Sequence, residues 1–424
     1  MKKLLKTMLV FIMVAVIASC SDEEATVAPV KEDNIKTDTK ISIEQARQDL
    51  LGLLSDLDSE RSRSYGKLPR TIKEAHSFKL GGNESRSEES PNYYVFNFDN
   101  NQGYAIMSGD ERMPSLIALT DSGSFNENDS IDNPGLEIFF SNLKVVDDSI
   151  KIMPNPGAIG CIDWDDTEYR IYGSWETNIY KDYGYCPVKW GNIYPYNKYC
   201  PVINGELKKP NCASIALAQL MAAHQFPSSY GDFNFSWKEM VKYPVIDFCS
   251  TKGQDDIARL ISLIGLPENL NVDYIGASSK ESRIITTLKN FGYIVTSYIT
   301  DYNETTISYE IGKGYPVIMS GQSIKNSNEA HIWLIHGLLV RTREVKFYDL
   351  STKKYLRTET ECEYYPLCNW GWSGKDNGYY LSRVFNTNVG PVYYTDGEKK
   401  TISRASDEEY NYQYRLKILA GIRK

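Results

Sequence analysis

Residues 210–227 read PNCASIALAQLMAAHQFP, and this stretch decides what the rest of the chain is built around. Asn211 is a residue type that caps helix N-termini, Ile215, Leu217, Leu220 and Met221 follow, and Pro227 stops the run. The spacing predicts a helix with Cys212 in its first turn. A cysteine of unknown role is commonly a small buried hydrophobe. The front of a helix, however, is where the dipole and free N–H groups turn a thiol into a thiolate. The same Cys212 N–H would face an oxyanion forming on a carbonyl that the thiolate attacks.

A nucleophilic thiol needs a base, and the chain has four histidines, 76, 224, 331 and 336. His224 lies 12 residues along the predicted helix, about 18 Å from Cys212, so it is expected to be structural. His76 belongs to the N-terminal part. His331 and His336 share the predicted strand 331-HIWLIHGLLV-340 and, five apart, face opposite sides, which leaves open which one meets the cleft. Further on, 366-PLCNWGWSGKDNGYY-380 offers Asn369 to accept the imidazole proton, with Trp370 and Trp372 to keep water from that bond. The alternative is a Gly/Trp-rich loop that only packs. There is no HExxH, CxxC, GxSxG or phosphate-binding glycine loop. Asp163, Asp165 and Asp166 are expected to form a solvated acidic loop rather than a calcium site, so neither metal nor other cofactor is expected.

The ends and the composition set the compartment. The 424 residues carry a net charge of −8, which argues against nucleic acid as the main partner. MKKLLKTMLVFIMVAVIASC has a basic start, an apolar run from Met8 to Ile17 too short to span a membrane comfortably, and small residues before Cys20. Residues 1–20 are read as an export signal. Ile17-Ala18-Ser19-Cys20 is similar to a bacterial lipobox, which predicts lipidation of Cys20 and a membrane anchor. Residues 21–38, polar and without period, are expected to be a tether. Of the eight cysteines (20, 161, 186, 200, 212, 249, 362 and 368), six remain after Cys20 and Cys212, enough for three disulfides of unspecified pairing in an exported protein.

Between these points the periodicity predicts a helix in 41–58, with Ser42 and Gln45 as a capping box. A hairpin follows in 93–110, a neighbouring strand in 115–125 and a short helix in 136–146. Residues 39–150 thus form a small α+β unit. The remainder, 151–424, is helix-bearing first, including 255–266, and strand-rich later, with strands at 315–321, 331–340, 345–351, 378–384 and 411–422. That order predicts an α+β domain with a cleft between the two halves.

Three blocks in sequence, 189-KWGNIYPYNKYCP-201 with 211-NCASIALAQLMAAHQFP-227, then 330-AHIWLIHG-337, then 369-NWGWSG-374, resemble the streptopain family of papain-clan cysteine peptidases. Residues 93–125 resemble that family's inhibitory propeptide. The resemblance implies a papain-like two-lobed catalytic domain and an inactive precursor held by its own propeptide, with protein or peptide substrates. It places the nucleophile on Cys212, the histidine on His331 and the imidazole-orienting pair on Asn369 and Trp370. Three departures stand out. Asn192 occupies the position where the family has an oxyanion-donating glutamine, Ala330 replaces a glycine, and 38 residues separate His331 from Asn369, enough for an inserted flap at 351–368. These departures motivate a rival expectation, a catalytically impaired surface lipoprotein that binds protein or glycan.

Overall fold

The computed structural model describes residues 40–65, 68–80, 93–110, 113–126, 130–151, 168–179, 185–276, 280–322, 330–349, 351–385, 392–395, 398–401 and 416–424. The export signal, Cys20, the tether, Cys161 and the acidic cluster at 163–166 lie outside them.

The N-terminal unit begins with α1 (Ile43–Tyr65). Its capping box forms as the sequence predicts, Gln45 N–H donating to Ser42 Oγ at 3.2 Å and Ser42 N–H to Gln45 Oε1 at 3.0 Å. Ala46, Leu50, Leu53, Leu54 and Leu57 recur on one face and are buried. Four strands follow: β1 (Ile72–Phe78), β2 (Tyr93–Phe98), β3 (Tyr104–Ser108) and β4 (Leu116–Thr120). The β2–β3 turn places Asn100 and Asn101 at φ 56° and Gly103 at φ 96°, left-handed conformations suited to Asn and Gly. Helix α2 (Pro134–Lys151) starts with proline, and Asn133 Oδ1 accepts the N–H of Gly135 at 3.1 Å.

The predicted helix around Cys212 is α3 (Cys212–His224). It is followed by α4 (Thr251–Ile264), α5 (Ser282–Asn290), strand β7 (Ile299–Asp301) and α6 (Glu304–Gly312). Then come β8 (Val317–Gln322), β9 (Ala330–Asp349), β10 (Tyr355–Asn369), β11 (Gly378–Tyr380), the helical turn α7 (Ser382–Phe385) and β12 (Lys417–Leu419). Two strands of the junction, β5 (Glu168–Tyr172) and β6 (Glu176–Ile179), precede α3.

One 12-stranded sheet runs β1-β2-β3-β4-β11-β10-β9-β8-β12-β7, with β5 and β6 on β9. The N-terminal unit is therefore joined to the C-terminal strands through the β4–β11 ladder, in which Ala118, Leu119 and Thr120 pair with Tyr380, Tyr379 and Gly378. A side chain at position 378 would place Cβ 2.4 Å from the Leu119 carbonyl, so this close pairing requires glycine. Two apolar cores result. One spans the N-terminal unit and the sheet, from Leu50 through Phe139 to Trp333 and Trp370. The other surrounds α3 with Leu260, Ile261, Leu288 and Trp190. The mixed α+β class is as expected.

Several local expectations need correction. The strands anticipated at 331–340 and 345–351 are one, β9, whose polar middle continues because Arg343 pairs with Glu361 across the ladder at 2.7 Å. The interval 351–368 is mostly β10, so it is half of a long hairpin rather than a separate flap. The far end of β9 is not an open edge, since β6 and then β5 pair with it. The strand expected at 378–384 ends at Tyr380, and of 411–422 the described part gives β12, a turn at Gly421 (φ 67°) and two more paired residues. Cys186, Cys200, Cys249, Cys362 and Cys368 all carry free thiols, as does Cys212, so no disulfide joins the described cysteines.

Candidate active site

Asn211 sits in extended conformation ahead of α3, its Oδ1 accepting the N–H of Ser214 at 3.0 Å and the Ser214 hydroxyl at 2.9 Å. That cap leaves the N–H groups of Cys212 and Ala213 free of helical partners at the front of α3, and both act to lower the pKa of the Cys212 thiol. The Ile332 N–H on β9 acts on the thiol in the same direction, and the thiol makes a weak 4.0 Å contact with the Ala330 carbonyl. The sulfur thus lies against the backbone beside His331. Burial raises the thiol's pKa, while the three N–H groups act to lower it.

His331 is 2 % exposed, with its ring stacked 6.0 Å from Trp333 and Trp372 edge-on at 6.4 Å. Its Nε2 is 2.8 Å from the Trp370 carbonyl. A carbonyl can only accept, so Nε2 carries the proton and the Nδ1 lone pair is free to act as base. Burial pushes the imidazole down from 6.5 to about 4, with the Trp370 carbonyl acting the other way.

Asn369 is placed differently from the sequence expectation that its side chain meets the imidazole. Its Nδ2 donates to the Val188 carbonyl at 2.8 Å, and its Oδ1 accepts the Gly371 N–H at 3.3 Å. The orienting contact belongs to the Trp370 backbone instead, and Asn369 shapes the turn that presents it. Trp370 is fixed by its own bonds, N–H to Asn377 Oδ1 at 3.0 Å and indole N–H to the Asp376 carbonyl at 2.9 Å. Asn192 is half-buried on the turn after Trp190 and Gly191. That turn is pinned to the loop beyond Trp370, because Ser373 N–H donates to the Trp190 carbonyl at 3.1 Å.

The other histidines fall outside this cluster. His224 is at the end of α3 beside Tyr293, 5.6 Å between rings. His76 lies on β1. His336 is buried, its Nδ1 accepting the Cys186 N–H at 3.3 Å. Sequence reasoning missed two contributors. Trp333 needs the β9 register to be seen stacking on His331, whereas Gln219 is the only polar side chain between Ser214 and His224 and so carried a visible signal.

The N-terminal unit grips the loop that follows Trp370. Ser122 donates to the Gly374 carbonyl at 2.8 Å, Tyr104 to Asp376 at 3.1 Å and Asp121 N–H to the Asn377 carbonyl at 3.0 Å. Lys189 and Asp121 form an ion pair at 2.9 Å. The first turn of α2 lies on the Trp370 ring so closely that a Cβ at Gly135 would come within 2.1 Å of it.

A partly buried cysteine at the front of a helix, set against a strand carrying a buried imidazole, is the equipment of a cysteine peptidase. Comparison with known proteins defines the family. Residues 190–380 match the Peptidase C10 family and residues 62–146 match the Spi protease inhibitor family. The chain is 24% identical to streptopain of Streptococcus pyogenes, over 72% of this chain and 77% of that one. It is 21% identical to the thiol protease/hemagglutinin of Porphyromonas gingivalis, over 72% of this chain and 35% of that one. Among solved structures, a fragment of Prevotella intermedia prointerpain A matches with a TM-score of 0.48 and 17% identity, covering 84% of this chain and 99% of that one. The chain belongs to the C10 family of cysteine peptidases and is a zymogen that carries its inhibitory propeptide ahead of the catalytic domain.

Proposed function

We propose that this zymogen is an exported endopeptidase in which Cys212 is the nucleophile and His331 the acid and base. The observation that carries the reading is the place of Cys212 in the first turn of α3, its sulfur 4.0 Å from the Ala330 carbonyl on the strand that bears the buried His331. In the mature enzyme the Cys212 proton passes to His331 Nδ1. The thiolate then adds to the peptide carbonyl, and the negative charge on its oxygen is met by the Cys212 N–H and the Asn192 amide. His331 gives its Nδ1 proton to the leaving amine as the C–N bond breaks. Water, deprotonated by His331, then splits the thioester and restores the thiol. The Trp370 carbonyl keeps the ring oriented throughout, with Asn369 acting through it.

Residues 39–150 are the inhibitory propeptide and 151–424 the catalytic domain. The pairing of β5 and β6 with β9 supports assigning 168–179 to the catalytic side. The packing of α2 on the Trp370 ring, whose backbone carbonyl orients His331, supports a precursor held inactive through that loop. Residues 1–20 direct export, and Cys20 takes a lipid that anchors the protein to the cell envelope through the tether 21–38. The support here is the basic start, the apolar run and the Ile17-Ala18-Ser19-Cys20 sequence.

Hydrolysis of a denatured protein by the chain after limited proteolysis, lost in Cys212→Ala, is the expected result. Hydrolysis by the mutant, or its absence from the parent after clean propeptide removal, contradicts the assignment. Incorporation of labelled fatty acid, lost in Cys20→Ser, tests the anchor separately.

A further inference from the structure

Gln219 lies seven residues beyond Cys212, two turns along α3 and on the same stripe of the helix. It is fully buried, with Ile215, Ala216, Ala218, Leu220 and Ala222 around it on the helix. A polar amide in such surroundings is costly unless it is hydrogen-bonded. Its Oε1 accepts the Trp190 N–H at 2.9 Å. Its Nε2 has no hydrogen-bond partner among the described residues and faces the turn at Gly371, where a Cβ would lie 3.8 Å away. Only the Oε1 bond offsets the burial of this side chain.

That bond is the first of a series. The Trp190 carbonyl accepts the Ser373 N–H at 3.1 Å, and Gly191 packs so tightly that a Cβ there would lie 2.1 Å from Ser373 Oγ. Ser373 is three residues after Trp370, whose carbonyl holds His331 at 2.8 Å. One side chain of the nucleophile's own helix therefore ties down the turn that carries Asn192, and that turn is fastened to the loop that orients the imidazole.

We infer that Gln219 is a positioning residue that sets the Asn192 turn relative to the Cys212 N–H, so that both donors converge on one carbonyl oxygen. The inference rests on the peptidase assignment above. It has a consequence that a general packing role lacks. Attack on an amide develops an oxyanion. Alkylation of the thiolate by iodoacetamide does not, because sulfur bonds to the methylene carbon as iodide leaves. Loosening the turn slows the first reaction and spares the second.

The test compares parent, Gln219→Met and Gln219→Glu, each as the full chain matured by limited proteolysis. It reads kcat and KM on a peptide amide and the rate of Cys212 alkylation by iodoacetamide. Gln219→Met is expected to lower kcat by about 100-fold, the scale of a misplaced group or lost oxyanion donor, with KM and alkylation nearly unchanged. Gln219→Glu, which keeps an acceptor oxygen, is expected to recover most of that loss. Unchanged kcat in Gln219→Met, or alkylation falling in step with kcat, overturns the inference. If Gln219→Met does not fold, Gln219→Asn, whose oxygen is withdrawn by one methylene, is read by the same criteria. A parent that neither hydrolyses nor alkylates at Cys212 overturns the peptidase assignment and this inference with it.

Discussion

Strand β9 carries two histidines, and each has a cysteine beside it, yet the two pairs differ in nearly every chemical respect. Cys212 is only partly buried, and the N–H groups of Cys212, Ala213 and Ile332 act to lower its thiol's pKa against the rise that burial causes. At Cys186 the thiol is buried and points its hydrogen at the carbonyls of Val188 and Gln219, each 3.5 Å away. Burial drives the Cys186 thiol up to about 12, against the weaker pull of the Val188 backbone and the Asn369 amide. The histidines differ likewise. His331 has its Nε2 proton on a carbonyl and its Nδ1 free, whereas His336 spends Nδ1 on the Cys186 N–H. Proximity of a histidine does not make a thiol nucleophilic. Donors on the sulfur, an uncommitted ring nitrogen and access to substrate do.

The comparison breaks most decisively at the sulfurs. Cys212→Ala is expected to lower kcat by roughly 10⁴-fold or more, as loss of a nucleophile does. Cys186→Ala should leave kcat close to the parent, as measured on matured enzyme with a peptide amide. A large loss in both would erase the distinction between the pairs. The histidines come next. His331→Ala should cost about 10²–10⁴ in kcat. His336→Ala strands a buried N–H and should instead cost about 1–3 kcal/mol in denaturant unfolding, with kcat largely retained.

Acid tests both pairs together in the precursor. His331 and His336 sit at about 4 in the folded chain, each lowered chiefly by burial; for His336, Asp121 raises the value and Lys189 lowers it. The unfolded value is 6.5, so between the two the unfolded chain binds more protons. Stability is fully present above 6.5 and is lost as pH falls toward 4, by about 1.4 kcal/mol per pH unit for each imidazole. The mutant pair sharpens this, since either alanine variant should show a shallower acid slope than the parent. The smallest effect is expected at the half-exposed Lys189–Asp121 pair. Asp121→Asn should weaken propeptide docking by about 0.2–1 kcal/mol, read as a slightly higher inhibition constant.

Legibility in the sequence followed how local each feature is. The N-cap Asn211, the apolar run and Pro227 are all within one stretch, so α3 and the place of Cys212 could be seen directly. Choosing His331 over His336 required the family resemblance, because alternation separates the two faces without saying which meets the cleft. The Trp370 carbonyl was invisible. A backbone oxygen has no residue type, and the side chain of Asn369 drew attention to itself. The length of β9 was hidden for another reason. Arg341, Thr342, Arg343 and Glu344 break the apolar alternation, and only their partners on β10, such as Glu361 for Arg343, make a strand of them. The union of propeptide and catalytic sheets rests on β4 meeting β11, a long-range pairing that neither segment announces.

The central claim is that Cys212 alone among the described cysteines is a nucleophile, and that the propeptide holds it back. The most direct measurement is to treat the chain with an epoxide that alkylates thiolates, before and after limited proteolysis, and to map the adducts by mass spectrometry. The account predicts no adduct in the intact precursor and a single adduct, on Cys212, once the propeptide is removed. An adduct on Cys186, equal labelling of Cys212 in the precursor, or an unlabelled Cys212 after clean removal of the propeptide would contradict it.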